Sequence, residues 1–291
     1  MLATYLINLD TSDDRLHVMY GRARSVGLSF QRIPGILGSD LPLERLEEVD
    51  IASYEKWHGK VLNPGEVGCY LSHISAMKKF LASGAEFGLI LEDDANFPEN
   101  FQSLIDSIIA NSCCWDVVKL SSFHSGTPVN VLTLEAGYHL AVPLSRLNNS
   151  NSILYNRVAA KRLVRELLPM RLPFDHAVER AWLYGLRFRS INPIPCDADT
   201  GMESEIGYSH QLKFPVYRRL PCFLFRIRTE LMRICFGLHE IFKIFPSELK
   251  EHLSVLILAT LEFLNVSFLS PVPMLNFPLG HIKSAFIPQV L

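Results

Sequence analysis

The sequence predicts an α/β fold with a mainly parallel sheet. Short apolar runs typical of buried strands alternate along the chain with longer segments whose apolar residues recur at helical spacing. Of the 291 residues, 48% are hydrophobic and 20% are charged, which excludes a disordered chain and leaves enough apolar surface for a large core. Alternating strands and helices imply parallel strands, and the ligands of such sheets bind beyond the carboxyl ends of the strands.

Each element has its own signal in the sequence. In chain order, strands are predicted over residues 5–9, 30–33, 87–91, 116–120 and 186–194. Helices are predicted over residues 15–27, 63–84, 157–168 and 175–184, with one more opening near residue 96. The helix start at Asn63 is the best marked, because asparagine caps a first turn and Pro64 suits the first helical position. Glu66 lies where a capping-box acid belongs.

Three acidic residues, Glu92, Asp93 and Asp94, follow directly after the predicted strand 87–91. Adjacent carboxylates repel one another, and a divalent cation would offset that cost. Mg²⁺ or Mn²⁺ takes oxygen ligands, typically one or two carboxylates together with substrate phosphates. Alternate residues of an extended chain face the same way, so Glu92 and Asp94 would share a side. A solvated loop in which Asp94 or Asn96 caps the next helix is an equal alternative from the triplet alone.

Other single residues carry chemistry with less specificity. His73, next to Ser72 on the predicted helix 63–84, titrates near neutrality or is a satisfied core histidine, which is the commoner case. Asp175 and Glu179 are four residues apart, hence on one helical face, and either can act as a general base. For Asp175, the spacing alone slightly favours the alternative that it caps its helix. Neither of the glycine-rich phosphate-binding motifs, GxxxxGK[ST] or GxGxxG, occurs in the sequence.

The C-terminal part of the chain differs in charge from the rest. The net charge of −2 is the sum of an acidic excess in residues 1–210 and a basic excess in residues 211–291. We therefore predict one domain over 1–210 and a basic, apolar, helical extension over 211–291. Apolar residues recur at helical spacing from Leu220 to Leu238, with arginines on the opposite side, which suits an anionic membrane surface. The alternative is a helix packed on the first domain.

Composition excludes several further classes of protein. The near-zero net charge argues against a general nucleic-acid binder, and residues 253–269 are apolar but short for a membrane span. The six cysteines are scattered and form no CxxC pair, so neither a disulfide scaffold nor a zinc site is predicted. Reduced thiols and an N-terminus without a basic signal-peptide region predict a cytoplasmic protein.

Taken together, these segments resemble the glycosyltransferase family 25 domain, found in the lipopolysaccharide and lipooligosaccharide sugar transferases of Gram-negative bacteria and related to collagen galactosyltransferases. The order and spacing match over roughly residues 1–210. The matching stretches are YLINLD from Tyr5, GEVGCYLSH from Gly65, LILEDDA from Leu89, WDVVKL from Trp115 and DHAVER from Asp175, with a weaker echo at residues 204–206.

The resemblance implies a GT-A-like fold that binds a nucleotide-sugar through a divalent metal, Mn²⁺ or Mg²⁺, and inverts the anomeric centre. It assigns the metal to Glu92, Asp93 and Asp94, and the base to Asp175 or Glu179, with a narrow preference for Asp175. Residues expected to bind the nucleotide-sugar or line its site are Asn8, Asp10, Arg15, Glu66, Ser72, His73 and Lys119. Lys119 would pair with phosphate or with the acidic triplet.

The resemblance further implies galactose from UDP-galactose as the donor and a lipooligosaccharide or lipopolysaccharide glycan as the acceptor. With the basic extension, it places the enzyme on the cytoplasmic face of the inner membrane as a peripheral protein. Two alternatives stay open. One is an inactive family member that acts as a membrane-associated scaffold, and the other is a metal-dependent nucleotide-sugar hydrolase that needs no acceptor.

Overall fold

The computed structural model describes residues 1–198 and 213–244, which form ten strands and eight α helices. The strands are β1 Leu2–Asn8, β2 Gln31–Pro34, β3 Phe87–Glu92, β4 Ala95–Asn96, β5 Val117–Lys119, β6 Pro128–Thr133, β7 His139–Pro143, β8 Ser152–Asn156, β9 Phe188–Asn192 and β10 Asp197–Ala198. The helices are α1 Asp13–Ser25, α2 Ile51–His58, α3 Pro64–Ala82, α4 Phe101–Ala110, α5 Arg157–Glu166, α6 Phe174–Val178, α7 Ala181–Tyr184 and α8 Leu220–Phe242.

Eight of the strands form one sheet in the order β2-β1-β3-β8-β5-β9-β7-β6, while β4 and β10 pair separately. Strand β1 is parallel to β2 and β3, and β5 is parallel to β9. Strands β8 and β7 run against their neighbours, so six of the eight strands share one direction. The α/β class with a largely parallel sheet is therefore confirmed, with β8 reversed at its centre.

The sheet is covered on both faces, which explains why its central strands are apolar without alternation. Tyr5 and Ile90 pack with α3, α5, α6 and α7 on one face. Leu89 and Leu91 point the other way and pack with α1 and α4. Successive side chains of a strand face opposite sides, so a buried two-sided strand reads as one continuous apolar run. All four of these side chains are buried, which fixes the position of the acidic triplet that follows β3.

Several elements differ from the sequence prediction. The predicted helix 175–184 is broken into α6 and α7, because the backbone of Arg180 leaves the helical region between them. The helix predicted to open near Asn96 begins instead at Phe101, and Asn96 pairs with Asp197 in the small sheet. Strands β6, β7 and β8 and helix α2 were not predicted at all.

Helix α3 begins as predicted, with Asn63 Oδ1 accepting a hydrogen bond from the backbone amide of Gly65 at 2.9 Å. Glu66 was predicted to close a capping box, but its carboxylate accepts a hydrogen bond from the Tyr54 hydroxyl of α2. A Cβ atom placed on Gly68 would lie 2.3 Å from the backbone oxygen of Ile36. Glycine at position 68 therefore lets the turn after β2 lie directly against α3.

Helix α8 packs on the domain through a side that carries both apolar and charged residues: Met232 and Cys235 pack with Trp182, and Glu240 is buried as well. Arg189 of β9 and Glu240 of α8 form an ion pair at 2.9 Å, with both side chains buried. Arg233 is only 7% exposed. The sequence interpretation placed Arg233 on the side opposite the apolar face, with Arg219 and Arg226, and the structure shows that the Arg233 side chain faces the protein.

The outward face of α8 is apolar. Leu220 is 60% exposed, Leu224 45% and Ile227 54%. None of the helices in the described residues is long and apolar enough to span a membrane. The predicted boundary near residue 210, the echo at 204–206 and the apolar segment 253–269 lie outside the described residues.

Candidate functional site

Several chain segments meet at one edge of the sheet. The parallel strands β1, β3 and β5 end there at Asn8, Glu92 and Lys119. Strand β8 runs in the opposite direction, so its first residue, Ser152, lies opposite Leu91 at the same edge. The turn over residues 148–151 is thereby brought beside the acidic triplet. This edge is where α/β sheets bind ligands.

Asn8, Arg15 and Asp93 form one hydrogen-bonded group. Asn8 Nδ2 donates to Asp93 Oδ2 at 2.7 Å and to the backbone oxygen of Ser12 at 3.0 Å. The guanidinium of Arg15 pairs with the other oxygen of Asp93. This group ties the start of α1 to the acidic triplet, so two residues expected at the nucleotide lie next to one expected at the metal.

Asp10 lies at the outer border of this group. Its side chain is exposed, and its carboxylate pairs with Arg32 at 2.5 Å. Arg32 Nε also donates to Asn8 Oδ1 at 2.9 Å. Asp10 therefore acts on the site through Arg32 and Asn8.

Glu92 points to the opposite side of the chain from Asp93. Its carboxylate accepts from Ser150 Oγ at 2.6 Å and bonds His73 Nε2 at 2.9 Å. Burial by itself would raise the pKa of Glu92. The hydrogen bond to His73, the charge of that histidine and the hydrogen bond from Ser150 together hold the pKa below its ordinary value. His73 is fully buried and stacks on Phe174 at 4.1 Å between ring centroids. The histidine thus positions an ionised Glu92.

Asp94 is the exception in the triplet. Its Oδ1 atom is buried and has no hydrogen-bond partner among the described residues, and the side-chain amide of Asn151 is equally unpartnered there. Burial, followed by the charge of Glu92, raises the pKa of Asp94 to about 7. Burying such an oxygen beside other acids is costly, and the charge of Arg15 and the side chain of Asn151 offset only part of that cost. Carboxylate oxygens are the ligand type that hard divalent cations prefer.

A second group of residues whose side chains can bind a metal shares Glu92 with the triplet. The ligand atoms of Cys69, His73 and Glu92 lie within 4.8 Å of one another. Burial raises the pKa of the Cys69 thiol well above its ordinary value, which disfavours the thiolate that a metal needs. Sulfur ligands also suit softer metals than Mg²⁺ or Mn²⁺. Among the described residues this is the group of three potential ligands that lie close enough together to hold an ion, and its thiol disfavours Mg²⁺ or Mn²⁺ there; a metal site at the triplet stays a prediction based on its carboxylate chemistry.

Asp175 is held at the start of α6 by backbone amides. Its Oδ1 accepts from the amide of His176 at 2.8 Å and its Oδ2 from the amide of Asn149 at 3.2 Å. Burial opposes ionisation, but the charges of His176 and Lys119 with these two bonds lower the pKa of Asp175 below its ordinary value. The carboxylate is therefore a proton acceptor at neutral pH. It lies near enough to the triplet to influence the pKa of Glu92.

Glu179 has a different environment from Asp175. Its carboxylate forms a buried ion pair with Lys119 and accepts from the backbone amides of Leu147 at 3.1 Å and Asn148 at 2.7 Å. Arg233 of α8 lies 3.5 Å away. Lys119 was expected to pair with phosphate or with the triplet, and the structure pairs it with Glu179 instead. Lys119 and Glu179 therefore link strand β5 to the segment that precedes β8.

Ser72 and Glu66 likewise bond to the protein. Ser72 Oγ accepts from the amide of Ile36 at 2.8 Å and donates to the backbone oxygen of Gly68 at 2.7 Å. Burial raises the pKa of Glu66, whose carboxylate bonds Tyr54. Of the predicted site residues, these two fix α3 against its neighbours, while His73 on the same helix reaches the triplet.

The turn over residues 148–151 is the part of the site that sequence analysis missed. Asn148 and Asn149 have positive φ values of 57° and 70°, a conformation that asparagine tolerates better than most residues. This turn directs its amides at Glu179 and Asp175, and Ser150 at Glu92. The available signal was the run of five polar residues at 148–152 between two apolar segments.

Comparison with known proteins finds a family match for the N-terminal part of the chain. Residues 1–131 match the family model described as glycosyltransferase family 25 (LPS biosynthesis protein). The matched segment contains the triplet and the predicted nucleotide residues, whereas Asp175 and Glu179 lie beyond it. A curated relative in Aedes aegypti, named a glycosyltransferase 25 family member, is 26% identical over 121 residues, which is 39% of this chain and 20% of the relative.

Two further relatives carry more specific names. Procollagen galactosyltransferase 1-B of Xenopus laevis is 28% identical over 124 residues, 40% of this chain and 20% of the relative. The inactive glycosyltransferase 25 family member 3 of Mus musculus is 25% identical over 211 residues, 65% of this chain and 36% of the relative. The chain thus spans between a fifth and about a third of these relatives' length.

Among solved structures, a glycosyltransferase involved in the glycosylation of the major capsid of PBCV-1 is similar with a TM-score of 0.38. It is 12% identical and the match covers 70% of this chain and 97% of that one. A likeness at this level does not establish a shared fold. The family match and the curated relatives are therefore the findings that bear on the family of this chain: its residues 1–131, less than half of the chain, are similar to glycosyltransferase family 25.

Proposed function

We propose that this protein is an inverting glycosyltransferase that moves galactose from UDP-galactose to a glycan of lipooligosaccharide or lipopolysaccharide. The observation that carries the proposal is that two carboxylates with different environments, those of Asp94 and Asp175, lie at the same edge of the sheet. Asp94 has an unpartnered buried oxygen suited to a cation, and Asp175 is an ionised base held by two backbone amides. A metal-assisted sugar transfer needs both.

In the proposed reaction, a carboxylate oxygen of Asp175 takes the proton of an acceptor hydroxyl. The hydroxyl oxygen then forms a bond to the anomeric carbon, and the bond between that carbon and the diphosphate breaks from the opposite face. The electron pair of the broken bond leaves with the diphosphate. Asn8, at the end of β1, and Arg15, in the first turn of α1, orient the nucleotide, as in a GT-A-like domain.

A divalent cation, Mn²⁺ or Mg²⁺, fits the oxygen set of Asp94 with Asp93 or Glu92. When bound, it would stabilise the negative charge of the departing diphosphate. Asp93 is already paired with Arg15, and Glu92 with His73, so these two acids arrive preoriented. Among the three, Asp94 supplies the oxygen that the described residues leave unpartnered.

The function is tested by incubating the full chain with UDP-sugars and Mn²⁺, with and without lipooligosaccharide acceptors, and identifying products by mass spectrometry. We expect a glycan product heavier by one hexose and dependent on Mn²⁺. Release of free galactose in the presence of every acceptor would instead indicate a hydrolase. Absence of UDP-galactose binding would favour the inactive, scaffolding alternative, which the relatives named as inactive bring forward.

We also propose that the protein lies on the cytoplasmic face of the inner membrane, held by the outer face of α8. Two properties of that face support the proposal. Leu220, Leu224 and Ile227 are exposed, and the exposed residues Lys213 and Arg218 lie at the same end of the helix. Apolar side chains beside basic ones bind anionic lipid surfaces through burial and electrostatic attraction together.

Leu224→Asp is expected to reduce sedimentation of the protein with anionic phospholipid vesicles. The substitution removes an apolar side chain and adds a charge of the same sign as the lipid, so we expect the partition coefficient to fall by roughly tenfold or more. Val158→Asp, which alters an exposed apolar residue at the first turn of α5, is the matched control and should leave binding unchanged. Equal binding of both variants would disprove the role of α8.

A further inference from the structure

A cavity of about 450 Å³ separates α8 from the segment that carries Asp175 and Glu179. His176 and Glu179 of that segment line one wall, so the cavity lies immediately beside the proposed base. Its volume is sufficient for a monosaccharide. The residues that give it its chemistry are two aromatic and four cationic side chains, Trp57, Arg146, Arg180, Phe225, Arg226 and Arg233.

The cavity has an excess of positive charge. Its two acidic residues, Glu179 and Glu230, both pair with Arg233, at 3.5 and 2.6 Å. Arg146, Arg180 and Arg226 have no carboxylate within ion-pair distance among the described residues. Arg226 donates a hydrogen bond to the backbone oxygen of His58, at 3.4 Å.

Arg180 is the most informative of these cations. Its Nε atom is buried and has no hydrogen-bond partner among the described residues. Burial lowers the pKa of Arg180 to about 10, with the charges of Arg228 and Arg233 acting in the same direction and Tyr184 acting against them. A buried N–H donor without an acceptor is costly, and a bound oxyanion would supply the acceptor. Among the described residues, the guanidinium has the Phe225 ring beside it and no carboxylate within ion-pair distance.

Aromatic rings give the cavity a second property. Trp57 and Phe225 stack with their ring centroids 5.0 Å apart, and the guanidinium of Arg180 lies 4.9 Å from the Phe225 ring. An aromatic wall offers a flat apolar surface, which suits the C–H face of a sugar ring. The arginines offer planar forks that match phosphate or carboxylate oxygens.

We propose that this cavity binds an oxyanion of the acceptor, a phosphoryl or carboxyl group on one of its sugars, and so directs a neighbouring hydroxyl to Asp175. The proposal rests on the proposed transferase function, because it assigns the cavity to the acceptor. It adds that the acceptor is anionic close to the reacting sugar. It also gives α8 a role in binding substrate, beyond its contacts with the domain and the lipid surface.

Isothermal titration calorimetry of the full chain, saturated with UDP, tests the proposal with three probes: glucose 6-phosphate, glucuronate and glucose. We expect at least one anionic probe to bind and glucose not to bind. The double variant Arg146→Gln/Arg226→Gln should weaken that binding by about tenfold or more, because each charge-assisted bond to the oxyanion is lost. Arg146→Gln alone, which changes an exposed side chain, should weaken it in the same direction.

The matched control is Arg24→Gln/Arg165→Gln, which removes the same charge from exposed positions elsewhere. It should leave every affinity unchanged. Binding of glucose 6-phosphate alone identifies a phosphoryl group, and binding of glucuronate alone a carboxyl group. Failure of both anions to bind, equal binding of glucose, or an unchanged affinity in the double variant would overturn the proposal.

UDP binding, measured separately in each preparation, distinguishes this failure from that of the proposed function. A protein that binds glucose 6-phosphate through the arginines but never binds UDP has the oxyanion cavity and lacks the transferase function. A protein that binds UDP and transfers galactose, with no anion bound in the cavity, retains the function and disproves this inference.

Discussion

Asp175→Asn is expected to lower the turnover of UDP-galactose by about 10³-fold, because losing a positioned general base costs between about 10² and 10⁴ in rate. UDP affinity should change little, since the proposed nucleotide contacts are on β1 and α1. The asparagine keeps the shape of the side chain and can still accept one of the two backbone bonds. Turnover and the free energy of unfolding should be measured on the same preparation.

Glu179→Gln is the matched comparison, because the sequence offered both carboxylates as the base, with only a narrow preference for Asp175. Replacing Glu179 leaves the buried ammonium of Lys119 without its counter-charge. Breaking one side of a buried ion pair costs about 3–5 kcal/mol, so this variant should lose stability. A folded Glu179→Gln variant with 10³-fold lower turnover, alongside an active Asp175→Asn variant, would transfer the role of base to Glu179.

The pH dependence adds a second test of Asp175. Burial by itself would raise the pKa of Asp175. The charges of His176 and Lys119 and the bonds from two backbone amides outweigh burial, so the pKa in the folded state lies below its ordinary value. An acid whose pKa is lower in the folded than in the unfolded state stabilises the protein at pH values above its unfolded-state pKa. This stabilisation is lost as the pH falls through the folded-state pKa. The acidic limb of the rate profile caused by Asp175 should therefore lie below the ordinary value of 3.8.

The sequence was sufficient to place the site at a sheet edge. Strand β3 is buried on both faces, so its apolar run is unbroken and ends at Glu92, where the chain reaches the ligand-binding edge. The start of α3 was equally legible, because Asn63 and Pro64 are local signals. Such features depend on a few neighbouring residues, which a sequence displays directly.

Contacts between segments that are far apart in the sequence could not be predicted in the same way. Strand β8 enters the sheet in reverse between β3 and β5, and only that reversal brings Ser150 to Glu92. The pairing of Lys119 with Glu179 joins two residues 60 positions apart, so no local pattern indicates it. The pattern of α8 predicted an apolar face that is partly exposed, but it did not show that Met232 and Cys235 pack on the protein or that Glu240 meets Arg189.

Asp94→Asn is expected to abolish Mn²⁺-dependent transfer while making the metal-free protein more stable. Burial, followed by the charge of Glu92, raises the pKa of Asp94 to about 7 from an ordinary 3.8. An acid with a raised pKa binds a proton more tightly in the folded state, so stability falls as the pH rises from about 4 to about 7. Removing the charge should therefore raise the free energy of unfolding by roughly 2–4 kcal/mol at pH 8.5.

The gain should disappear below about pH 4, where the wild-type carboxyl is protonated in both states. Mn²⁺ should raise the melting temperature of the wild type and leave that of Asp94→Asn unchanged, because a ligand stabilises only the folded state that binds it. Asp106→Asn, at an exposed acid of α4, is the control and should show neither effect. A variant that keeps transfer and its response to Mn²⁺ would disprove the metal site. A variant that is less stable at pH 8.5 would show that the buried carboxylate is compensated within the protein, and the site would then have no need of a cation.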